Sequence, residues 1–297
     1  MKKVIVIVGP TGVGKTKLSI ALAKRYDGEI INADAMQVYR GLDIGTAKVT
    51  EGEKENIPHH LFDTKEVQEE YSIYHYQKDC RVKIEEILNK GKVPILVGGT
   101  GLYIKGALYD YQFQVKGKDN LEYDSFSTEE LYQMLMQLDP VGGEKIDRYN
   151  RRRLINAIQY YHQTQSSISE NKTNTLLYDA IFIGLTTERA ILYEKINQRV
   201  DRMMDMGLLD EVKFFYQKNV RSKPLISGIG YKELYDYLDQ NSSKEEAIEL
   251  IKRNSRRYAK RQYTFFNHQL PVVWFDVDYE CFEKTIQEVC KYLDQES

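Results

Sequence analysis

Residues 9–16 read GPTGVGKT and fit the G-x-x-x-x-G-K-[ST] pattern in full, with Gly9, Gly14, Lys15 and Thr16 at its fixed positions. The apolar run Val4–Val8 before it reads as a buried strand, and Leu18–Ala23 after it reads as a helix. Strand, glycine-rich loop and helix in that order commit this part of the chain to an α/β arrangement. The chemistry of such a loop is phosphate binding. Glycines let successive backbone N–H groups turn inward into an anion nest. The helix start adds unpaired donors and the positive end of its dipole. Gly9, Pro10, Thr11, Gly12, Val13 and Gly14 are therefore expected to cradle a diphosphate or nucleotide. Lys15 supplies a mobile charge, and the Thr16 hydroxyl is placed for a magnesium ion. The loop alone does not say whether the phosphate is transferred, hydrolysed or expelled.

Further strands are expected at 28–33 and 93–98, with an amphipathic helix near 74–90 between them, and later strands at 180–185 and 272–275. Helical patterns fill 189–206, 208–219, 231–240 and 244–266. The segment between these halves differs in character. It opens on the polar run Lys116–Asn120, carries helical patterns near 128–138 and 151–163, and closes in a polar tract from Thr164 to Thr175. The expected fold is a P-loop NTPase-like parallel sheet flanked by helices. Its core spans 1–112 and 177–297, and 113–176 form a mostly helical insertion.

Composition excludes more than it selects. With 42% hydrophobic and 29% charged residues, a net charge of −2 over 297 residues describes an ordinary globular protein and no generic polyanion binder. Cys80, Cys281 and Cys290 lack metal spacing, and their odd number argues against a disulfide framework. The apolar run after Lys2-Lys3 ends at Gly9, too short for a secretory segment, and no stretch reaches membrane-spanning length. A cytoplasmic protein without membrane contact is expected.

Ligands of open α/β sheets sit at the carboxyl ends of the strands. Two sequences besides the loop fall there, Asn32–Tyr39 and Gly98–Tyr103, so Asp34 and Thr100 are expected to face the phosphate site. Asp34 could organise magnesium, act as a general base, or cap a helix. Thr100 could serve only its glycine-rich turn. His59-His60 read as a loop pair satisfied by neighbours. Two basic clusters stand out, Arg148–Arg153 in the insertion and Lys252–Gln262 on a late helix. Lys252/Arg256/Lys260 and Arg253/Arg257/Arg261 form adjacent rows at i, i+4 spacing, where like charges repel. Without interleaved acids, the rows suggest an external polyanion, with Tyr149, Tyr258 and Tyr263 available to stack on bases. A merely solvated face is the alternative.

Taken in order, GPTGVGKT, NADAMQVYRGLDIGTAK (32–48), IPHHLFD (57–63), PILVGGTGLY (94–103), GIGYKEL (228–234) and AKRQYTFF (259–266) make the chain similar, nearly end to end, to the tRNA dimethylallyltransferases. These are the delta(2)-isopentenylpyrophosphate tRNA transferase family. The resemblance implies transfer of a dimethylallyl group from dimethylallyl diphosphate to N6 of the adenosine 3′ of the anticodon. The tRNAs are those reading codons that begin with U, and magnesium is required. It makes residues 9–16 a diphosphate site, with magnesium on Thr16, and adds Arg199. It makes Asp34 the general base, Thr100 a hydroxyl near the diphosphate bridge and Lys15 a catalytic cation. Contact with the tRNA anticodon stem-loop falls to Asp34, Ala35, Met36 and Gln37, to Arg152 and Arg153 in the insertion, and to Arg256 and Arg257. A monomer is expected.

The family's usual Asp-Ser is Asp34-Ala35 here, and its arginine before Ala157 is Asn156, which removes a hydroxyl and a cation from the RNA-contacting set. The chemistry of the residues agrees with the resemblance. An exocyclic adenine amine is a weak nucleophile and gains from a carboxylate that accepts its proton. An allylic carbon needs a stabilised leaving group, and a base stacked in a loop must be flipped out to react. A small-molecule P-loop kinase, an adenylate isopentenyltransferase acting on free nucleotide, and an NTP-dependent RNA-binding module share the loop. None of the first two accounts for the basic clusters.

Overall fold

Parallel strands need connections that carry the chain back to the end of the sheet from which each strand starts. In the computed structural model, residues 3–110, 123–168 and 175–296 are described, together with the elements they form. The expected polar runs at 116–120 and 169–174, and Lys2, lie outside them. The chain divides into one unit of Met1–Leu108 with Leu176–Ser297 and a second of Tyr109–Thr175.

In the first unit, β1 (Lys3–Val8) leads through the loop to α1 (Lys15–Arg25), then β2 (Gly28–Asn32) and the two-residue β3 (His59–His60). α2 (Ile73–Asn89), β4 (Val93–Val97) and α3 (Gly101–Leu108) complete the N-terminal half. The second unit holds α4 (Thr128–Leu138), α5 (Pro140–Gly143) and α6 (Arg151–Thr164). The first unit resumes with β5 (Asp179–Thr186), α7 (Arg189–Asp205), α8 (Leu208–Gln217), α9 (Lys223–Ser227) and α10 (Tyr231–Leu238). It ends with α11 (Lys244–Gln269), β6 (Val273–Asp276) and α12 (Phe282–Gln295). The short β3, α5 and α9 are not among the expected elements. Nor is α12, although Phe282, Ile286, Val289 and Leu293 recur at helical spacing along it.

The sheet order is β3-β2-β4-β1-β5-β6, with every pairing parallel. β1 lies between β4 and β5, so its side chains are covered on both faces and read as the continuous run VIVIV. Val4, Val6, Ile7 and Val8 are wholly buried. A second apolar cluster joins Val38 and Leu42 of the β2–β3 connection, and Val67 between β3 and α2, to Val212, Tyr231 and Leu234 of the late helices. The second unit has its own small core of Leu131, Leu135, Leu154, Ala157 and Ile158. Its α4 starts in a capping box, with Ser127 and Glu130 each accepting from the other's backbone N–H.

The long β2–β3 connection has almost no regular structure and is held by two charged side chains. The Glu211 carboxylate on α8 accepts from the N–H groups of Asp43 (3.0 Å), Ile44 (2.7 Å) and Gly45 (3.1 Å) and from the Tyr231 phenol (2.6 Å). Gly45 must be glycine because a Cβ there would lie 2.6 Å from the Tyr231 ring. Lys48, whose side chain is 6% exposed, donates to the Tyr39 carbonyl and pairs with Asp43 and Asp63 at 2.6 and 2.5 Å. This accounts structurally for DIGTAK and GIGYKEL: one carboxylate links them. Glu211→Ala would strand three N–H groups, so it is expected to lower stability by about 2–3 kcal/mol in urea unfolding, with Glu211→Gln losing less. Equal stability of the alanine variant and the parent would show that water replaces the carboxylate.

Candidate functional site

At the carboxyl edge of the sheet, the loops after β1, β2 and β4 meet helices α7, α10 and α11 around a cavity of about 540 Å³. Its size is that of a small-ligand pocket. All of its lining residues belong to the first unit. Thr11, Gly12, Gly14, Lys15 and Thr16 form one wall. Gly12 and Gly14 adopt φ of 88° and 89°, the left-handed region that this turn requires. Gly14 also lies under Phe282, which would meet a Cβ there at 2.5 Å. Val13 is wholly buried in the core, so only its backbone can serve a ligand.

Lys15 is folded back into its own loop, donating to the carbonyls of Gly9 (2.9 Å) and Pro10 (2.7 Å). Burial, and then the nearby Arg199 guanidinium, push its ammonium down to about 7, against an opposing pull from Asp34. Arg199 on α7 is likewise lowered by burial, to about 10, with Asp34 again opposing. Its guanidinium donates to the Thr46 carbonyl at 3.3 Å, which the Gln37 amide also reaches at 3.0 Å. Two cations are thus held in low-dielectric surroundings near a single carboxylate. Thr16 is exposed at the start of α1 and lines the cavity. Among the described residues no group of three or more His, Cys, Asp or Glu could hold a metal.

Asp34 is positioned by Asn32, a buried residue that sequence reasoning did not single out. Asn32 Oδ1 accepts from the Asp34 N–H (2.9 Å), and Asn32 Nδ2 donates to the carbonyls of Asp34 and Leu61 (both 3.0 Å). Asp34 Oδ1 accepts from the Met36 N–H at 3.0 Å, a local turn bond. Oδ2 has no hydrogen-bond partner among the described residues and is available to a ligand. Asp34, Met36 and Gln37 line the cavity. Thr100 is half-buried, and its hydroxyl accepts from the Ala35 N–H at 3.0 Å. Asp34 thus lines the cavity, and Thr100 adjoins it through the Ala35 amide. Tyr258, which reaches both Thr100 and Gln262, takes that stretch of wall; burial, followed by the Asp34 charge, pushes its phenol up to about 12.

The histidine pair is engaged by neighbours, as expected: His59 Nδ1 meets the Ile57 carbonyl at 2.8 Å and His60 Nε2 meets Glu29 at 2.7 Å. The basic rows of α11 divide. Lys252 pairs with Asp201 of α7 at 2.8 Å and Arg256 donates to Asn197 at 2.5 Å, so this row braces two helices. Asp201 of α7 supplies one acid for this row, and Glu249, one turn earlier on α11, pairs with Lys252 at 3.3 Å. Arg253, Arg257, Lys260 and Arg261 are exposed, and Arg257 and Arg261 border the cavity. The cluster of the second unit divides similarly. Arg148 pairs with Glu129 at 2.7 Å and Arg151 donates to the carbonyls of Phe126 and Tyr123, whereas Arg152, Arg153 and Asn156 are exposed. Tyr149 beside them is 80% exposed.

Comparison with known proteins places this geometry. Residues 37–269 match the IPP transferase family. A tRNA dimethylallyltransferase of Anoxybacillus flavithermus is 50% identical, over 99% of this chain and 96% of its own length. The crystal structure of a tRNA isopentenylpyrophosphate transferase from Bacillus halodurans superposes with a TM-score of 0.78 at 42% identity, covering 99% of this chain and 96% of that one. A eukaryotic dimethylallyltransferase caught acting on tRNA gives 0.82 at 33% identity, covering 92% and 74%. By sequence over its whole length and by fold, the chain belongs to the IPP transferase family.

Proposed function

We infer that this chain is a tRNA dimethylallyltransferase: it moves a dimethylallyl group from dimethylallyl diphosphate to N6 of the adenosine 3′ of the anticodon and releases diphosphate. The acceptors are tRNAs reading codons that begin with U. The observation that carries the reading is one cavity holding an anion nest, two charge-starved cations and an unbonded carboxylate oxygen. The N6 lone pair forms the new bond to the allylic carbon as the carbon–oxygen bond to diphosphate breaks, and the N6 proton passes to Asp34 Oδ2. Lys15 and Arg199 take up the charge developing on the leaving diphosphate, as preorganised groups in a dry site do. The Thr16 hydroxyl would hold magnesium, which when bound neutralises further diphosphate charge. Thr100 holds the Ala35 amide and with it the Asp34 turn.

The exposed row Arg253/Arg257/Arg261 grips the RNA backbone beside the cavity, and Arg152 and Arg153 form a second basic contact on the helical unit. Arg256 braces α7, so Arg257 carries the phosphate contact of that pair. Met36 and Gln37, which wall the cavity, face the flipped base, while Ala35 offers its backbone alone. Among the described residues no helix is long and apolar enough to cross a membrane.

Labelled dimethylallyl diphosphate mixed with bulk tRNA should leave label in the RNA; ATP turnover without label transfer would favour a kinase. Asp34→Asn is expected to lower the transfer rate by about 10²–10⁴-fold, the usual contribution of a general base. Diphosphate binding should survive, and its loss would make Asp34 a metal organiser instead. Lys15 adds a pH signature. Its folded value of about 7 lies below the ordinary 10.5, so between those values the unfolded chain holds a proton that the folded one lacks, and Lys15 makes stability rise with pH there. A bound polyanion restores the charge. At about pH 8.5, diphosphate binding should therefore take up close to one proton, read by calorimetry in buffers of different ionisation heat. Lys15→Met should abolish that uptake; an unchanged uptake would assign it elsewhere. Arg257→Ala should weaken tRNA binding and reduce the slope of log affinity against log salt by about 0.7–0.9, one phosphate contact. Lys252→Ala should leave the slope alone and lower stability instead.

A further inference from the structure

Tyr258 on α11 lines the cavity half-buried, and its hydroxyl is held in place without being fully used. The Arg261 guanidinium lies over its ring at 5.6 Å, a cation–π contact that steadies the side chain. The phenol oxygen is 3.5 Å from the Gly99 carbonyl, the far limit of a hydrogen bond. That carbonyl already accepts from Gln262 Nε2 at 2.9 Å. The Thr100 hydroxyl and the Gln262 amide also reach the phenol oxygen. Each has a hydrogen to give it, since the Thr100 oxygen is the acceptor in its bond to Ala35 and Nε2 carries a second hydrogen. Gln262 Oε1 has no hydrogen-bond partner, so the phenol hydrogen is not spent there. The oxygen of Tyr258 is thus supplied with donors, while its own hydrogen has only a distant and shared acceptor.

Asp34 Oδ2 stands by the same glycine. A Cβ on Gly99 would lie 3.9 Å from it, and the Asp34 charge is felt at the Tyr258 phenol. Tyr258, Gly99 and Asp34 all line the cavity. Burial, and then that charge, hold the phenol at about 12, so near neutral pH it keeps its proton and acts as a donor. One wall therefore offers a carboxylate acceptor and a hydroxyl donor, with a glycine between them. An amide side chain presents the same pair when it reads adenine, whose exocyclic amine donates while the ring nitrogen beside it accepts. Two such nitrogens, N1 and N7, flank N6.

We propose that the Tyr258 phenol donates a hydrogen bond to the ring nitrogen beside the reacting amine of the flipped adenine, N1 or N7, while Asp34 Oδ2 takes the amine proton. The assignment rests on the transferase reading above. Two contacts on one base edge fix the ring in its plane, so the amine meets the carboxylate in a single orientation. A base without a lone pair at that position leaves the phenol hydrogen unpaired, and a site built to hydrogen-bond a substrate group rejects such analogues. Tyr258 is thus a specificity residue for the acceptor base, and the diphosphate does not depend on it.

The test compares anticodon stem-loop RNAs carrying adenosine, 1-deazaadenosine or 7-deazaadenosine at the acceptor position, by equilibrium binding to the protein loaded with magnesium and inorganic diphosphate. The parent is expected to bind one of the two deaza RNAs about three- to tenfold more weakly than the adenosine RNA, and that analogue names the nitrogen. Tyr258→Phe keeps the ring and removes the donor. It should weaken the adenosine RNA by a similar factor and shrink the adenosine preference by about threefold or more, the coupling that a double-mutant cycle reads. A structural role would weaken all three RNAs alike; an unmoved ratio in the phenylalanine variant overturns the proposal. A parent that binds both deaza RNAs as tightly as adenosine overturns it without any variant. Diphosphate affinity should be the same in parent and variant, and its loss in Tyr258→Phe would give the phenol to the leaving group instead. Label transfer to tRNA by the parent is measured alongside. If transfer fails, the transferase reading falls and the proposal with it, but transfer with an unmoved ratio sinks Tyr258 alone.

Discussion

The site depends on how closely two strand ends approach each other. The Ala33 N–H donates to the Val97 carbonyl at 2.8 Å, and the Thr100 N–H donates back to the Ala33 carbonyl at 3.1 Å. A Cβ at Gly98 would collide with the Ala33 backbone, so only glycine lets the ends of β2 and β4 touch. That contact sets the spacing between Asp34, which follows Ala33, and Gly99, which follows Gly98. Asn32 holds the Asp34 peptide from below, and Thr100 holds the Ala35 amide from beside it. The carboxylate is thereby fixed by backbone geometry before any ligand arrives. A general base needs this, since a small misplacement of a reacting group costs much of its rate advantage.

Electrostatics works in the opposite sense to stability. Burying Lys15 and Arg199 beside one carboxylate leaves both cations short of solvation, which is why both lie below their ordinary values. The free protein tolerates this by folding the Lys15 ammonium onto two loop carbonyls. A diphosphate bound as proposed above would relieve the strain on both at once. It would draw Lys15 off the Gly9 and Pro10 carbonyls, which themselves offer nothing to an anion. Binding and charge recovery would then be one event, and in the proposed reaction the same cations would stay in place when the allylic bond breaks.

Much of this was legible in the chain, because the informative signals are local. GPTGVGKT, the apolar runs and the helical periodicities each lie within a dozen residues, and the parallel sheet follows from their alternation. What escaped reading was carried by contacts between residues far apart in sequence. Glu211 is an ordinary acid on an amphipathic helix until Tyr231 and the turn at 43–45 close on it. Asn32 resembles any polar residue ending a strand. Lys252 and Arg256 look like half of a polyanion surface because two of the groups that engage them, Asp201 and Asn197, lie on another helix. Repulsion along a basic row is evidence for an external anion only when no neighbouring element answers it. The two-residue β3 carries too little pattern to be recognised at all.

α11 shows why one long helix suits this chemistry. Its buried positions Ala247, Ile251, Ala259, Gln262 and Phe266 follow one face, and Lys252 and Arg256 lock the adjacent face to α7. Rotation about its axis is thereby prevented. Arg257 and Arg261 then stand on the solvent side at the cavity mouth, one turn apart. Gln262 follows Arg261 directly but points inward, since adjacent helical residues diverge by about 100°. Arg257 and Arg261 are therefore held in a fixed relation to Asp34, which lines the same cavity, so that an RNA gripped by this row, as proposed above, would present its base to that carboxylate in one register only.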